Sequence, residues 1–67
     1  MQPQEWEKER SGEGRYMVYA DGRRIGFVCG GRDNWCAERG LQTVGYFPTV
    51  AAACRAIYAA HTAAARA

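Results

Sequence analysis

The feature that most constrains the fold of this chain is a change of side-chain periodicity at Pro48 and Thr49. From Arg15 to this point, aromatic and β-branched residues and a period of two, clearest over residues 23–29, are typical of β-strands, and beyond it apolar residues recur at helical spacing. Proline holds the preceding residue in extended backbone, and a threonine hydroxyl can cap the first free N–H groups of a helix. We therefore predict a β-sheet before Pro48 and a single helix after Thr49.

Turn signals divide the sheet region into strands. Asp21 and Gly22 join an aromatic and β-branched segment to an alternating one and predict a type I′ hairpin turn, because both central residues of that turn need positive φ. The glycine-rich segment 30–33 predicts a second turn, and Gly40 interrupts the chain again. The predicted strands comprise residues 15–20, 23–29, 34–39 and, as a fourth strand or the far arm of a tight hairpin, 43–47.

The predicted fold class is α+β: an antiparallel meander of three or four strands packed on one C-terminal helix. In the strand 23–29, alternation places Ile25, Phe27 and Cys29 on one face, which we expect to face the helix. Small helix residues such as Ala53 allow a close approach to the sheet. The side chains expected to carry the core are Ile25, Phe27, Phe47, Val50 and Ile57.

The first 14 residues differ from the rest of this 67-residue chain. They show no hydrophobic period, and Pro3 and two glycines interrupt them, so we predict a flexible acidic arm. Their four glutamates against two basic residues give a net charge of −2, whereas residues 15–67 carry seven arginines against three acidic residues, a net charge of +4. The predicted organisation is therefore an acidic arm, 1–14, and one basic ββββα or βββα domain, 15–67.

Several classes of protein are disfavoured by the sequence. The N-terminus is polar and acidic where a signal peptide would be apolar, and no apolar run is long enough for a membrane span, so we expect a cytoplasmic protein with no membrane partner. The single histidine, His61, has no nucleophile or carboxylate held near it by spacing. We therefore expect that the protein is not an enzyme and uses no cofactor.

The cysteines leave two interpretations open. Three cysteines cannot all pair within one chain, and no Cys-x-x-Cys unit is present, which favours a reduced protein whose buried thiols act as small hydrophobes. Alternatively, three cysteines and one histidine have the number and kind of ligands of a Cys₃His zinc site, although structural zinc ligands usually come in closely spaced pairs. The ligands of that site are Cys29, Cys36, Cys54 and His61.

Two motifs resemble a known DNA-binding family. The segments Trp-Cys-Ala-Glu at 35–38 and Gly-Tyr-Phe-Pro-Thr at 45–49, followed by an alanine-rich helix, are similar to the Apetala and ethylene-response-factor type DNA-binding domain. That domain reads Trp-x-Ala-Glu in its middle strand and Gly-x-Phe-x-Thr before its helix, and arm-binding domains of phage-type integrases have a similar sheet and helix. The resemblance covers residues 26–60. It implies a three-stranded sheet that binds DNA, with Trp35 and Glu38 matching sheet residues of the family.

The first functional hypothesis is a small DNA-binding or nucleoprotein accessory protein that holds double-stranded DNA on a basic sheet face. Every cation in residues 15–67 is an arginine, whose planar fork fits phosphates and base edges, and strands can enter a major groove. The candidate nucleic-acid-binding residues are Arg15, Arg23, Arg24, Arg32, Trp35 and Arg39.

The alternative hypothesis is a protein-interaction module or inhibitor, of the kind that phages or mobile elements encode. Aromatic side chains on an uncovered sheet face have the composition of interface hot spots, and edge strands can pair with a strand of a partner. The candidate partner-binding residues are Trp6, Tyr16, Tyr19 and Tyr46.

Overall fold

Five strands and one helix form in the order that the change of period at Pro48 predicts. A computed structural model of the chain describes residues 5–66. The elements are β1 (Glu7–Gly12), β2 (Arg15–Ala20), β3 (Arg23–Gly31), β4 (Asn34–Arg39), β5 (Gln42–Phe47) and α1 (Val50–Arg66). The strands form one antiparallel sheet in the order β1-β2-β3-β4-β5, and α1 packs across one face of it. This α+β meander on one helix confirms the predicted fold class, with one strand more than predicted.

The hairpin turns confirm the turn chemistry of the sequence. Asp21 and Gly22 both have positive φ, 54° and 76°, as the central residues of a type I′ turn require. The second turn is tighter than the glycine-rich segment suggests, because Arg32 and Asp33 form it alone, with φ of 44° and 63°. Strand β3 therefore continues to Gly31 and holds a fixed antiparallel register with β4.

The helix begins as predicted. The backbone N–H of Ala52 donates to Thr49 Oγ1 at 3.1 Å, and the N–H of Ala53 donates to the Thr49 carbonyl at 3.1 Å. Thr49 thus caps one of the N–H groups that a helix start leaves unpaired, and its carbonyl accepts the first regular hydrogen bond of the helix. Three helix residues, Ala53, Cys54 and Ile57, are buried against the sheet.

The segment predicted as a flexible arm is instead an edge strand over residues 7–12. Strand β1 pairs along β2, and Trp6 just before it is only 8% exposed and joins the core. The Tyr58 hydroxyl donates to Glu5 Oε2 at 2.6 Å and ties the start of this segment to α1. The arm prediction is wrong here because every residue of β1 is exposed, so the strand has no apolar period to read. Residues 1–4 of the predicted arm lie outside the described part of the chain.

From Gly26 onward, the two faces of β3 are opposite to the prediction. The register shifts between Val18 and Tyr19 of β2, and Ile25 is the unpaired residue of the resulting bulge on β3. Beyond the bulge, Gly26 and Val28 face α1, whereas Phe27 is 37% exposed on the other side. The expectation that Phe27 and Cys29 face the helix is therefore wrong, because a bulge reverses the alternation that Ile25 starts.

The core lies between α1 and the face of the sheet that it covers. Its buried side chains are Trp6, Val18, Ala20, Ile25, Val28, Ala37, Ala53, Cys54 and Ile57. Phe47 and Val50, expected in the core, pack against it while partly buried. We call the opposite side the open face, and cross-strand register assigns to it Glu7, Glu9, Arg15, Met17, Tyr19, Arg24, Phe27, Cys29, Cys36, Glu38, Thr43 and Tyr46. No element of the described chain covers the open face.

Candidate nucleic-acid interface

Three of the predicted DNA-binding arginines meet at one end of the sheet. Arg23 and Arg24 follow the β2–β3 turn, and Arg39 precedes the β4–β5 turn, which lies at the same end of the meander. Together with His61 of α1 they line a concavity of about 400 Å³, completed by Ile25 and Gly40. We call this site the arginine end. Sequence reasoning assigned His61 to a metal site and missed its place beside these arginines.

The cations of the arginine end have no partner within the described chain. Among the side-chain hydrogen bonds of residues 5–66, Arg10 is the one arginine donor, through Nε to the Gly12 carbonyl at 3.3 Å. No carboxylate lines the concavity. Guanidinium groups keep their charge at any physiological pH, so three of them in one concavity repel each other unless an anion lies between them.

Two of the other predicted arginines lie elsewhere. Arg15 lines a neighbouring concavity of about 630 Å³ on the open face, which it shares with Arg24, Met17 and Phe27. Arg32 is in the β3–β4 turn, at the opposite end of the sheet from the arginine end. The five candidate arginines therefore do not form one basic face.

Trp35 does not lie on the open face. Its register partners, Gly30 and Phe47, share the face that α1 covers, and its ring packs edge-to-face on Tyr16 with ring centroids 5.9 Å apart. Trp35 is part of the set that packs on the core. Trp35 therefore packs beside the core, off the open face on which its contact with DNA is predicted.

The open face is not basic. It carries three carboxylates, Glu7, Glu9 and Glu38, against the two guanidinium groups of Arg15 and Arg24. Across its middle runs an uncharged strip that comprises Met17, Phe27, Cys29, Cys36 and Tyr46. A face of this composition attracts phosphates less than the arginine end does.

The candidate partner-binding residues divide between the two faces. Trp6 is buried, and Tyr16 is half-buried and packs on the core, so neither side chain stands free on the open face. Tyr19 is half-buried on the open face, and Tyr46 is 68% exposed there. The open face thus presents two of the four predicted residues, and it adds Phe27, which sequence reasoning placed in the core.

The proposed zinc ligands do not come together. Cys54 is fully buried between α1 and the sheet, whereas Cys29 and Cys36 lie on the open face. Burial raises the pKa of the Cys54 thiol, which keeps it protonated. Within residues 5–66, no group of three or more His, Cys, Asp or Glu side chains is placed to hold a metal ion. For Cys54, the interpretation as a buried small hydrophobe is confirmed.

An acidic recess lies on the β1 side of the same sheet end. Glu5, Glu7 and Asp21 line it together with Tyr19 and Tyr58, around a volume of about 480 Å³. The hydrogen bond to Glu5 raises the pKa of the Tyr58 hydroxyl, so this tyrosine remains a neutral donor. This end of the sheet therefore carries negative charge near β1, from the carboxylates, and positive charge near β4, from the guanidinium groups.

Among residues 5–66 there is no helix with both the length and the apolar character needed to span a bilayer. Comparisons of the chain with protein-family models, with curated proteins and with solved structures find no match.

Proposed function

We propose that this chain binds double-stranded DNA through backbone phosphates, with Arg23, Arg24 and Arg39 as the contacting groups and His61 beside them. The observation that carries the proposal is the convergence of three unpartnered guanidinium groups on one concavity with no carboxylate in its lining. Arginine offers two parallel N–H donors to a phosphate, and such charge-assisted bonds are the strong ones. The net charge of +4 on residues 15–67 supports the same class of ligand.

The open face is unsuited to insertion into a major groove, and this determines which part of the DNA the protein contacts. Glu7, Glu9 and Glu38 on that face would approach phosphates on either side of the groove. Contacts from the arginine end go to the backbone, and backbone contacts position a protein without reading sequence. We therefore expect binding that depends on salt and is largely independent of DNA sequence. The acidic recess orients the duplex away from β1.

The test is fluorescence anisotropy of a labelled duplex at two salt concentrations. Three phosphate contacts give a slope of about −2.7 in log K against log salt, which is a loss of about 40-fold in affinity between 50 and 200 mM salt. The variant Arg23→Gln/Arg24→Gln/Arg39→Gln should lower affinity at low salt by more than about 10-fold and flatten the slope.

A matched control separates the arginine end from net charge. The variant Arg10→Gln/Arg32→Gln/Arg55→Gln removes the same three charges from exposed positions on β1, the β3–β4 turn and α1. It should keep affinity within about 3-fold of the wild type, because none of these three residues lines the concavity and salt screens exposed charges outside it. Equal losses in both triple variants, or no binding at low salt, would overturn the proposal.

We infer a second candidate function, a protein-interaction module, from the uncharged strip of the open face. Tyr46 and Phe27 are 68% and 37% exposed, and large apolar patches on small domains usually mark interfaces. The occupant that fits is a second copy of the chain. The two broad dimensions of the domain, 32 and 28 Å, set an upper limit on the order of 900 Å² for the whole open face, so a dimer formed through the uncharged strip alone buries less than the roughly 800 Å² per partner of a standard interface.

Sedimentation over a range of concentrations tests this candidate. A dimer that dissociates in the variant Phe27→Glu/Tyr46→Glu supports it. Leu41→Glu is the matched control, because Leu41 is fully exposed in the β4–β5 turn and lies outside the strip. A monomer at all concentrations contradicts self-association and leaves the DNA proposal to its own test.

A further inference from the structure

Two thiols face each other across neighbouring strands in the middle of the open face. Cys29 of β3 and Cys36 of β4 are register partners, both are free, and both are half-buried. Their neighbours Val28 and Ala37 are fully buried under α1, so alternation turns both thiols to the opposite side. No described element covers them, and small molecules in solution can reach both.

The β3–β4 turn holds the two cysteines at a disulfide-compatible separation. The two-residue type I′ turn at Arg32 and Asp33 makes Gly31 and Asn34 a hydrogen-bonded pair, and Cys29 and Cys36 are the next pair of that kind. Such pairs have Cα atoms about 5.5 Å apart, inside the 4.4–6.8 Å range (roughly) of disulfides. Closing the bridge requires rotation of the side chains and little movement of the strands.

The surroundings make the two thiols unequal. Cys36 Sγ donates to Glu38 Oε1 at 3.1 Å, and Thr43 Oγ1 donates to the same oxygen at 3.0 Å. The hydrogen bond to Glu38, with burial and the carboxylate charge, raises the pKa of Cys36 to about 11. Cys29 has no part in the side-chain hydrogen bonds of residues 5–66. Cys29 thus lacks the carboxylate contact that Cys36 makes.

We propose that Cys29 and Cys36 form a thiol–disulfide exchange site that a small disulfide, such as oxidised glutathione, converts into a cross-strand disulfide. The Cys29 thiolate attacks one sulfur of the small disulfide, which forms a mixed disulfide and releases one small thiolate. Cys36 then loses its proton to solvent and attacks Cys29 Sγ, which releases the second small thiolate. Two protein thiols are oxidised to one disulfide, and one small disulfide is reduced to two thiols.

The exchange changes the chemistry of the open face. The thiol hydrogen that Cys36 donates to Glu38 is lost, so that carboxylate keeps only the Thr43 hydroxyl as a donor. The bridge also links β3 to β4 beside Phe27, in the uncharged strip that the second candidate function uses. Oxidation therefore alters a surface while the core under α1 stays unchanged.

The experiment treats the full chain with oxidised glutathione in dilute native solution, quenches it with acid, and alkylates the remaining thiols in denaturant. Mass spectrometry should find a chain about 2 Da lighter before alkylation, one alkylated cysteine at Cys54, and a peptide link between Cys29 and Cys36. Cys54, fully buried, is the internal control for native structure during the reaction. Three alkylated cysteines, or a disulfide between two chains, would overturn the proposal.

Variants with one of the two cysteines replaced test which thiol attacks first, and they give an answer even if the Cys29–Cys36 disulfide forms slowly. Cys36→Ser should stop at a glutathione adduct on Cys29, formed at least about 10-fold faster than any adduct on Cys36 in Cys29→Ser. Adding Glu38→Gln to Cys29→Ser should speed the reaction of Cys36, because it removes the carboxylate charge and keeps the amide oxygen as an acceptor. Equal rates at the two cysteines contradict the assignment of Cys29 as the attacking thiol.

Discussion

Gly26 is the point at which the sheet and the helix come closest, and an added methyl group there tests how the two layers pack. A Cβ at Gly26 would lie 2.5 Å from the Glu38 carbonyl oxygen of β4 and 2.8 Å from Ile57 Cγ2 of α1. Carbon atoms in contact sit about 3.5–4.0 Å apart, so the substitution Gly26→Ala creates an overlap of about 1 Å on two sides. The backbone φ at Gly26 suits other residues, so this clash is the whole penalty.

The free-energy penalty of Gly26→Ala depends on which neighbouring atoms can move to relieve the clash. The Glu38 backbone is held in the β3–β4 ladder, so relief must come from α1, where Ile57 is fully buried. Overpacking a core costs about 1–3 kcal/mol, and contact with both layers places Gly26→Ala near about 3 kcal/mol. For a domain of this size, each kcal/mol lowers Tm by about 4–8 °C, so Tm should fall by about 12–24 °C.

Thermal unfolding followed by circular dichroism measures this shift. Gly31→Ala is the matched control, since a Cβ at Gly31 meets no atom within 4 Å, and its Tm should stay within a few degrees of the wild type. In an Ile57→Ala background, the penalty of Gly26→Ala should shrink by about 1 kcal/mol, because one of the two clashes is gone. A Tm for Gly26→Ala equal to that of the control would refute the close approach of α1 to β3.

Three further predictions concern the edge strand, the helix start and Cys36. Trp6→Ala should destabilise the domain by about 3–5 kcal/mol in denaturant unfolding and expose β1 amides to hydrogen exchange, because Trp6 is buried beside that strand. Thr49→Ala removes the side-chain cap on Ala52 and should cost about 1 kcal/mol in the same assay. The pKa of Cys36 is raised from 9.0 to about 11, so the folded chain holds this proton more tightly than the unfolded chain. Stability should therefore fall as pH rises through that interval, and the fall should be smaller in Cys36→Ser; identical pH profiles would contradict the raised pKa.

The elements that local chemistry specifies could be predicted from the sequence. The strands at 15–20 and 34–39 match β2 and β4, since turn residues with positive φ bound them. The helix start at Val50 follows from Pro48 and the Thr49 cap. Strand β1 has neither signal, because an exposed edge strand is held by backbone pairing, which any sequence supplies, and by Trp6 outside the strand itself.

The bulge at Ile25 shows why face assignments fail where element assignments succeed. Strict alternation from Ile25 places Phe27 and Cys29 toward the helix, and one unpaired residue reverses both. The sequence offers a hint in Gly26, because a residue without Cβ marks close approach of another backbone or layer. That approach, made by Ile57, depends on how the helix packs on the sheet, and no local pattern encodes it.

The composition of the arginine end, by contrast, can be worked out from the strand order and from the lengths of β5 and α1, once the five strands are known. In a meander, alternate turns lie at the same end, which brings Arg23 and Arg39 together although they are far apart in the chain. Strand β5 starts at that end and spans about 16 Å, so α1 begins at the far end and runs back. At 1.5 Å per residue (roughly), the helix needs about 11 residues to return, which is the distance from Val50 to His61. The lengths of β5 and α1 therefore place His61 beside the arginines. Moving the histidine one helical turn along α1 should remove it from the concavity and leave the three guanidinium groups in place.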